Sequence, residues 1–150
     1  MREQSRSDED LGVRYLRMAL EYGRATRALL DGNQCEAPFW QSMGHALELS
    51  LKSLLKKHGF DEMDLMHFIS HDLYGAERSY LRQCPDSQLI SADASRLIRH
   101  LSDYHARLDF RYPCLFPAAS LPDPADAERA LAAHLTAVAG HFGVTTHDRS

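Results

Sequence analysis

Cysteine is scarce: Cys35, Cys84 and Cys114 stand 49 and 30 positions apart, with no CxxC pair among them. An odd, widely spaced set builds no disulfide framework, and the three read as reduced core thiols. Long hydrophobic runs are missing as well. No apolar stretch approaches the roughly 18 residues of a membrane span. The opening MREQSRSDED lacks the apolar core of a secretory signal, so a cytoplasmic protein with no membrane partner is expected. No segment alternates with period two for long enough to need a strand, and no internal repeat is visible. A glycine-rich phosphate loop, GxSxG and HExxH are all absent. Their absence removes the geometry for P-loop nucleotide hydrolysis, serine hydrolysis and zincin chemistry.

What remains is an ordinary globular composition of 150 residues, 44% hydrophobic and 25% charged, with a net charge of −4. A chain of this size buries about 70% of its unfolded surface around one core, so a single domain over residues 1–150 is expected. The mild acidity argues against coating nucleic acid by bulk charge, but the charge is uneven. Residues 37–60 set Lys52, Lys56 and Lys57 against Glu48, residues 61–75 carry four acids, and residues 76–111 hold six arginines against five acids. Any anion site is therefore local.

The apolar pattern is helical throughout. Leu11, Tyr15, Met18, Tyr22, Ala25 and Leu29 draw one stripe over 8–31, stopped by Gly32. Phe39, Met43, Leu47, Leu51 and Leu54 draw a second over 38–58, which is expected to be the most buried helix. A short third helix is expected from Ser70 as cap to about Arg82. The fourth carries Ile90, Ala94, Leu97, Leu101, Tyr104 and Leu108. After a proline-rich connection, Asp123 and Pro124 open a fifth with Ala127, Leu131, Leu135, Val138 and Phe142. The expected fold is an all-α, up-and-down bundle of about five helices.

Nine histidines stand out, since imidazole moves protons near neutral pH. His67 and His71 have a spacing that can bring two rings onto a metal, but the third helix is expected to begin between them, and no metal or other cofactor is expected. Glu48 and Lys52 form a favourable i, i+4 pair. On so apolar a helix a partly buried Glu48 needs a partner, and Lys52, His71 or Arg111 can serve. Their expected role is structural.

The run Gly44 to Gly59 (GHALELSLKSLLKKHG), the following His71-Asp72-Leu73 and the later Arg111-Tyr112-Pro113 together resemble the HEPN domain. The resemblance spans roughly residues 8 to 142 and implies a small helical bundle, commonly a homodimer. It also implies RNA as a ligand and a toxin–antitoxin, defence or RNA-processing setting. A partner protein such as an antitoxin or nucleotidyltransferase follows from the same likeness. Active members of the family cleave RNA without metal, using Arg and a His that follows it closely. The cation steadies the phosphorane and the imidazole moves protons.

Two pairs here have such a spacing: Arg99 with His105, and, as second choice, Arg129 with His134. On a helix turning about 100° per residue, Arg99 falls opposite the apolar stripe and His105 about 60° from its centre. Arg96, His100 and Arg107 cluster on one flank of the same helix as a candidate phosphate stripe, beside the plainer reading of a solvated face. The expected function is RNA binding with metal-independent endoribonuclease activity. Its alternatives are a noncatalytic dimerisation or interaction module and a nucleotide-binding regulatory domain.

Overall fold

The computed structural model describes residues 2–107, 109–111 and 118–146, with only the backbone described at 2–10, 111 and 118. The Arg111 side chain, Leu108, Tyr112 and Pro113 lie outside the described residues. Among the described residues there are five α-helices, α1 (Arg2–Asp31), α2 (Ala37–Lys57), α3 (Leu73–Gln83), α4 (Ala92–Ala106) and α5 (Pro124–Phe142). A π-helical turn, Asp64–Ile69, precedes α3, and there is no strand among the described residues. The all-α bundle expected from the hydrophobic pattern is what forms.

The helix ends follow local chemistry, with three departures from expectation. Asn33, not Gly32, takes the left-handed conformation after α1 (φ 56°), and Gln34 N–H closes on Leu29 O at 2.8 Å. Asparagine tolerates that conformation better than most residues. The cap of α3 is Asp72, whose side chain accepts from Gly75 N at 2.9 Å, rather than Ser70. Ser70 has φ 48° and ψ −114°, a geometry that ends the π-turn and cannot start a helix. Helix α4 starts later than its stripe suggested: Ser91 is its cap, accepting from Ala94 N at 3.1 Å, so Ile90 packs from the preceding loop.

Helix α2 is the centre of the molecule. Phe39, Met43, Leu47, Leu51 and Leu54 are all fully buried, and the polar Glu48, Ser50, Lys52 and Ser53 are buried with them. One contiguous set of apolar side chains, from all five helices, surrounds it. Contacts fix the directions. Gly12 lies against Ser53 and Tyr22 against His45, so α1 runs antiparallel to α2 across a short connection. Gly23 abuts Leu135 and Arg27 pairs with Glu128, so α1 is also antiparallel to α5. The longer stretch 58–72 carries the chain back along α2. His71 then meets Glu48 while Cys84 meets His58, which sets α3 beside α2 in the same sense. That return brings the HDL segment to the middle of α2.

Candidate functional site: a buried carboxylate between two imidazoles

Glu48 sits midway along α2, 6% exposed. A carboxylate so placed must be paired or lose its charge. Here Oε2 accepts from Lys52 Nζ at 3.2 Å, one turn on. Oε1 lies 2.6 Å from His71 Nδ1 and 2.9 Å from His105 Nε2. Burial opposes ionisation, but the hydrogen bonds from His105 and His71 and the charge of Lys52 outweigh it and hold the carboxyl at about 2. Glu48 is therefore an anion across the physiological range.

Each partner arrives from a different element. His71 follows the π-turn, whose Leu65 and Ile69 are buried anchors, and the ring remains 40% exposed. His105 lies on the last turn of α4, 2% exposed, with its ring pressed against the α2 backbone at Gly44. A methyl group there would overlap His105 Nδ1, so Gly44 makes the approach possible. The rings of His71 and His105 meet edge to face at 5.8 Å, and those of His45 and His105 at 5.2 Å. Ser102 on α4 accepts from Tyr74 N at 3.1 Å, pinning the start of α3 beside this cluster. On the far side, Tyr15 donates to Glu62 at 2.9 Å. Its hydroxyl is pushed up to about 12 by burial, then by Glu62 and the charge of Glu48.

Of the four residues singled out as a structural motif, three converge here: Glu48, Lys52 and His71. Arg111 is outside the described side chains. The histidine that sequence reasoning placed with Arg99 is instead the third partner of Glu48. His105 points inward while Arg99 is exposed on the outer side of α4. His105 as a Glu48 partner, and His45 beside it, were not foreseen. The available signal was the position of His105 at the edge of the apolar stripe, with a buried acid needing a cation or donor elsewhere.

The other candidates lie apart from this cluster. Arg129 is exposed and paired with Asp126, whereas His134 is 2% exposed inside the bundle. His134 Nε2 stands 2.9 Å from Ser50 Oγ, and Ser50 already donates to Leu47 O at 2.8 Å, so the imidazole is the donor. Its Nδ1 is buried without a hydrogen-bond partner, and burial pushes the ring down to about 4. Arg96 pairs with Asp93, and with His100 and Arg129 it lines an open groove of about 660 Å³ between α4 and α5. Arg107 is not part of that groove; it binds Asp109 at 2.9 Å. Both groove arginines thus face an aspartate on their own helix. His67 is exposed on the π-turn, separated from His71 by the kink at Ser70.

Fold and site together define a helical bundle built around a buried carboxylate that holds two imidazoles and an ammonium. No family model, curated protein or solved structure matches the chain. No described helix is long and apolar enough to cross a membrane.

Proposed function

We propose that the protein binds RNA and cleaves it without a metal, with His71 transferring protons and Glu48 holding its ring. The observation that carries this reading is Glu48 Oε1, which faces both His71 Nδ1 at 2.6 Å and His105 Nε2 at 2.9 Å. With Nδ1 committed and 40% of the side chain exposed, Nε2 is the nitrogen of His71 that an incoming substrate meets. Attack of a ribose 2′-hydroxyl on the adjacent phosphate needs a base, and departure of the 5′-oxygen needs an acid. A carboxylate-bound imidazole performs either task, because the anion fixes the tautomer and stabilises the imidazolium. Along α3, Tyr74 is 41% exposed as a face for a base, and Arg78 lies over its ring at 5.5 Å as a cation for phosphate. The reading keeps the class of chemistry that the HEPN resemblance implies and moves the working histidine from His105 to His71. His105 then acts through Glu48, and Arg99 stays away from the reacting atoms.

The test is incubation of the purified protein with mixed-sequence RNA in excess chelator, beside His71→Ala, Glu48→Gln, Arg99→Ala and His105→Ala proteins of matched helicity. His71→Ala is expected to lose at least about a hundredfold in rate, with Arg99→Ala near wild type. Loss in Arg99→Ala with His71→Ala intact returns the chemistry to the Arg99 and His105 pair. Absence of cleavage by the wild type overturns the enzyme reading.

A second reading, a noncatalytic interaction module working as a homodimer or on a partner protein, is favoured by one observation. Phe68 is 82% exposed, Met63 61% and Met66 60%, all on or beside the π-turn. Three large apolar side chains this exposed within six residues are unusual on a monomer. Sedimentation of the wild type and Phe68→Ser tests its homodimer form, which requires an assembly that the substitution dissociates.

A further inference from the structure

Helix α2 itself presents a third imidazole on the face of Glu48. His45 stands three residues before it and meets His105 edge to face at 5.2 Å. One nitrogen from each of His45 and His105 and one oxygen of Glu48 lie within 4.8 Å of one another. His105 Nε2 and Glu48 Oε1 are 2.9 Å apart, so a shift of about 0.5 Å gives the roughly 3.4 Å that separates two ligands each about 2.1 Å from a tetrahedral ion. We propose that His45, Glu48 and His105 form a binding site for one divalent transition ion of the zinc type.

Three features go beyond the chance meeting of three donors. The two inner ligands are held by the fold, Glu48 being 6% and His105 2% exposed, while half-buried His45, its ring tilted against Tyr22 at 5.1 Å, leaves a way in. The carboxylate is oriented by outer partners: Lys52 on Oε2 at 3.2 Å and His71 on Oε1 at 2.6 Å. Such partners fix the geometry of metal-binding carboxylates. The donor set is two imidazoles and one carboxylate, which suits Zn²⁺, Co²⁺ or Ni²⁺ and disfavours Mg²⁺ and Ca²⁺, whose sites are built of oxygen.

Binding replaces the His105 to Glu48 hydrogen bond. His105 Nε2 releases its proton to solvent and gives its lone pair to the ion, Glu48 Oε1 turns one lone pair to the ion while the other still accepts from His71, and His45 and a water complete four ligands. The nearby Lys52 ammonium lowers the affinity without occupying any of the three donors. Because the ion draws on Glu48, Zn²⁺ slows the RNA cleavage described above. That consequence alone rests on the ribonuclease reading.

The experiment uses the full chain stripped with chelator and titrated with Zn²⁺ by calorimetry and with Co²⁺ by visible absorption. One ion per chain is expected, with a Co²⁺ d–d band that Zn²⁺ abolishes and Mg²⁺ leaves unchanged. His45→Gln is expected to weaken Zn²⁺ at least about tenfold, with helicity and chelator-resistant RNA cleavage as in the wild type. His58→Gln, a histidine beside Cys84 at 3.6 Å, is expected to bind as the wild type does. No ion on the wild type, or equal affinity in His45→Gln, overturns the site. Loss in His58→Gln equal to that in His45→Gln overturns it too. Zinc binding with no RNA cleavage in chelator removes the ribonuclease reading and leaves the metal site standing.

Discussion

Glu48 shows how much one buried side chain can organise. Its charge is matched by donors from three segments, and Lys52 and His105, at 9% and 2% exposed, depend on it in turn. Glu48→Leu leaves them facing an apolar group and is expected to cost about 3–5 kcal/mol, the usual penalty for breaking a buried pair from one side. Urea unfolding at neutral pH measures it. Gly44→Ala places a methyl where His105 Nδ1 lies, and overpacking of that kind costs about 1–3 kcal/mol. The same titration checks it. A stability equal to wild type would mean that α4 can shift away from α2.

His134 makes a prediction of opposite chemistry, a histidine held neutral. Its folded value of about 4 lies below the ordinary 6.5, so between those values the unfolded chain binds a proton that the folded protein refuses. Stability is therefore complete above 6.5 and falls as pH drops toward 4, by about 3 kcal/mol in all. Glu48, held at about 2 against 4.5, extends the loss to lower pH by the same sign. His134→Leu is expected to remove most of the fall between pH 6.5 and 4, His141 being lowered as well by burial and by Lys57, and to leave the one below 4.5. Chemical denaturation at a series of pH values reads both.

At the scale of elements, the segment 61–72 decides where His71 stands. Leu65 and Ile69 anchor the π-turn in the core, Ser70 turns the chain with positive φ, and Asp72 starts α3 by capping Gly75 N. Asp72→Ala is expected to cost about 1 kcal/mol in thermal or urea unfolding, and Asp72→Asn much less, since either cap oxygen can accept from the helix. The acidic composition of this segment reads as a loop, because a single wide turn leaves no periodic trace. Its two anchors are four residues apart with an exposed Met66, His67 and Phe68 between them.

On the scale of the molecule, α2 is surrounded by the other helices, and the parallel course of α3 follows from the return of the chain over 58–72. The bundle therefore presents three centres at different depths. Ser50 and His134 are sealed in the interior, Glu48 and His105 lie just beneath the surface, and the Arg96, His100 and Arg129 groove is open. Only the second combines a buried charge with a solvent-reaching partner, His71. A solution comparison of proton exchange supports that order if the His71 ring exchanges with solvent faster than the His134 ring.

The five helices, the central place of α2 and the need of Glu48 for a partner were legible in the chain, because amphipathic spacing and the cost of burying a charge are local consequences of residue order. Lys52 followed from i, i+4 geometry, and His71 from the same need for a partner. The arrangement of His105 and His45 was not legible. Residues 57 positions apart meet only once the crossing of α2 and α4 is fixed, and a spacing rule along one helix cannot see the helix opposite. Arg99 and His105 illustrate the difference: near in sequence, they face opposite sides of α4, since a helical step of six residues turns a side chain about 120° away from its neighbour. Side-chain periodicity determines which elements form, and the tertiary packing of those elements decides which residues share an environment.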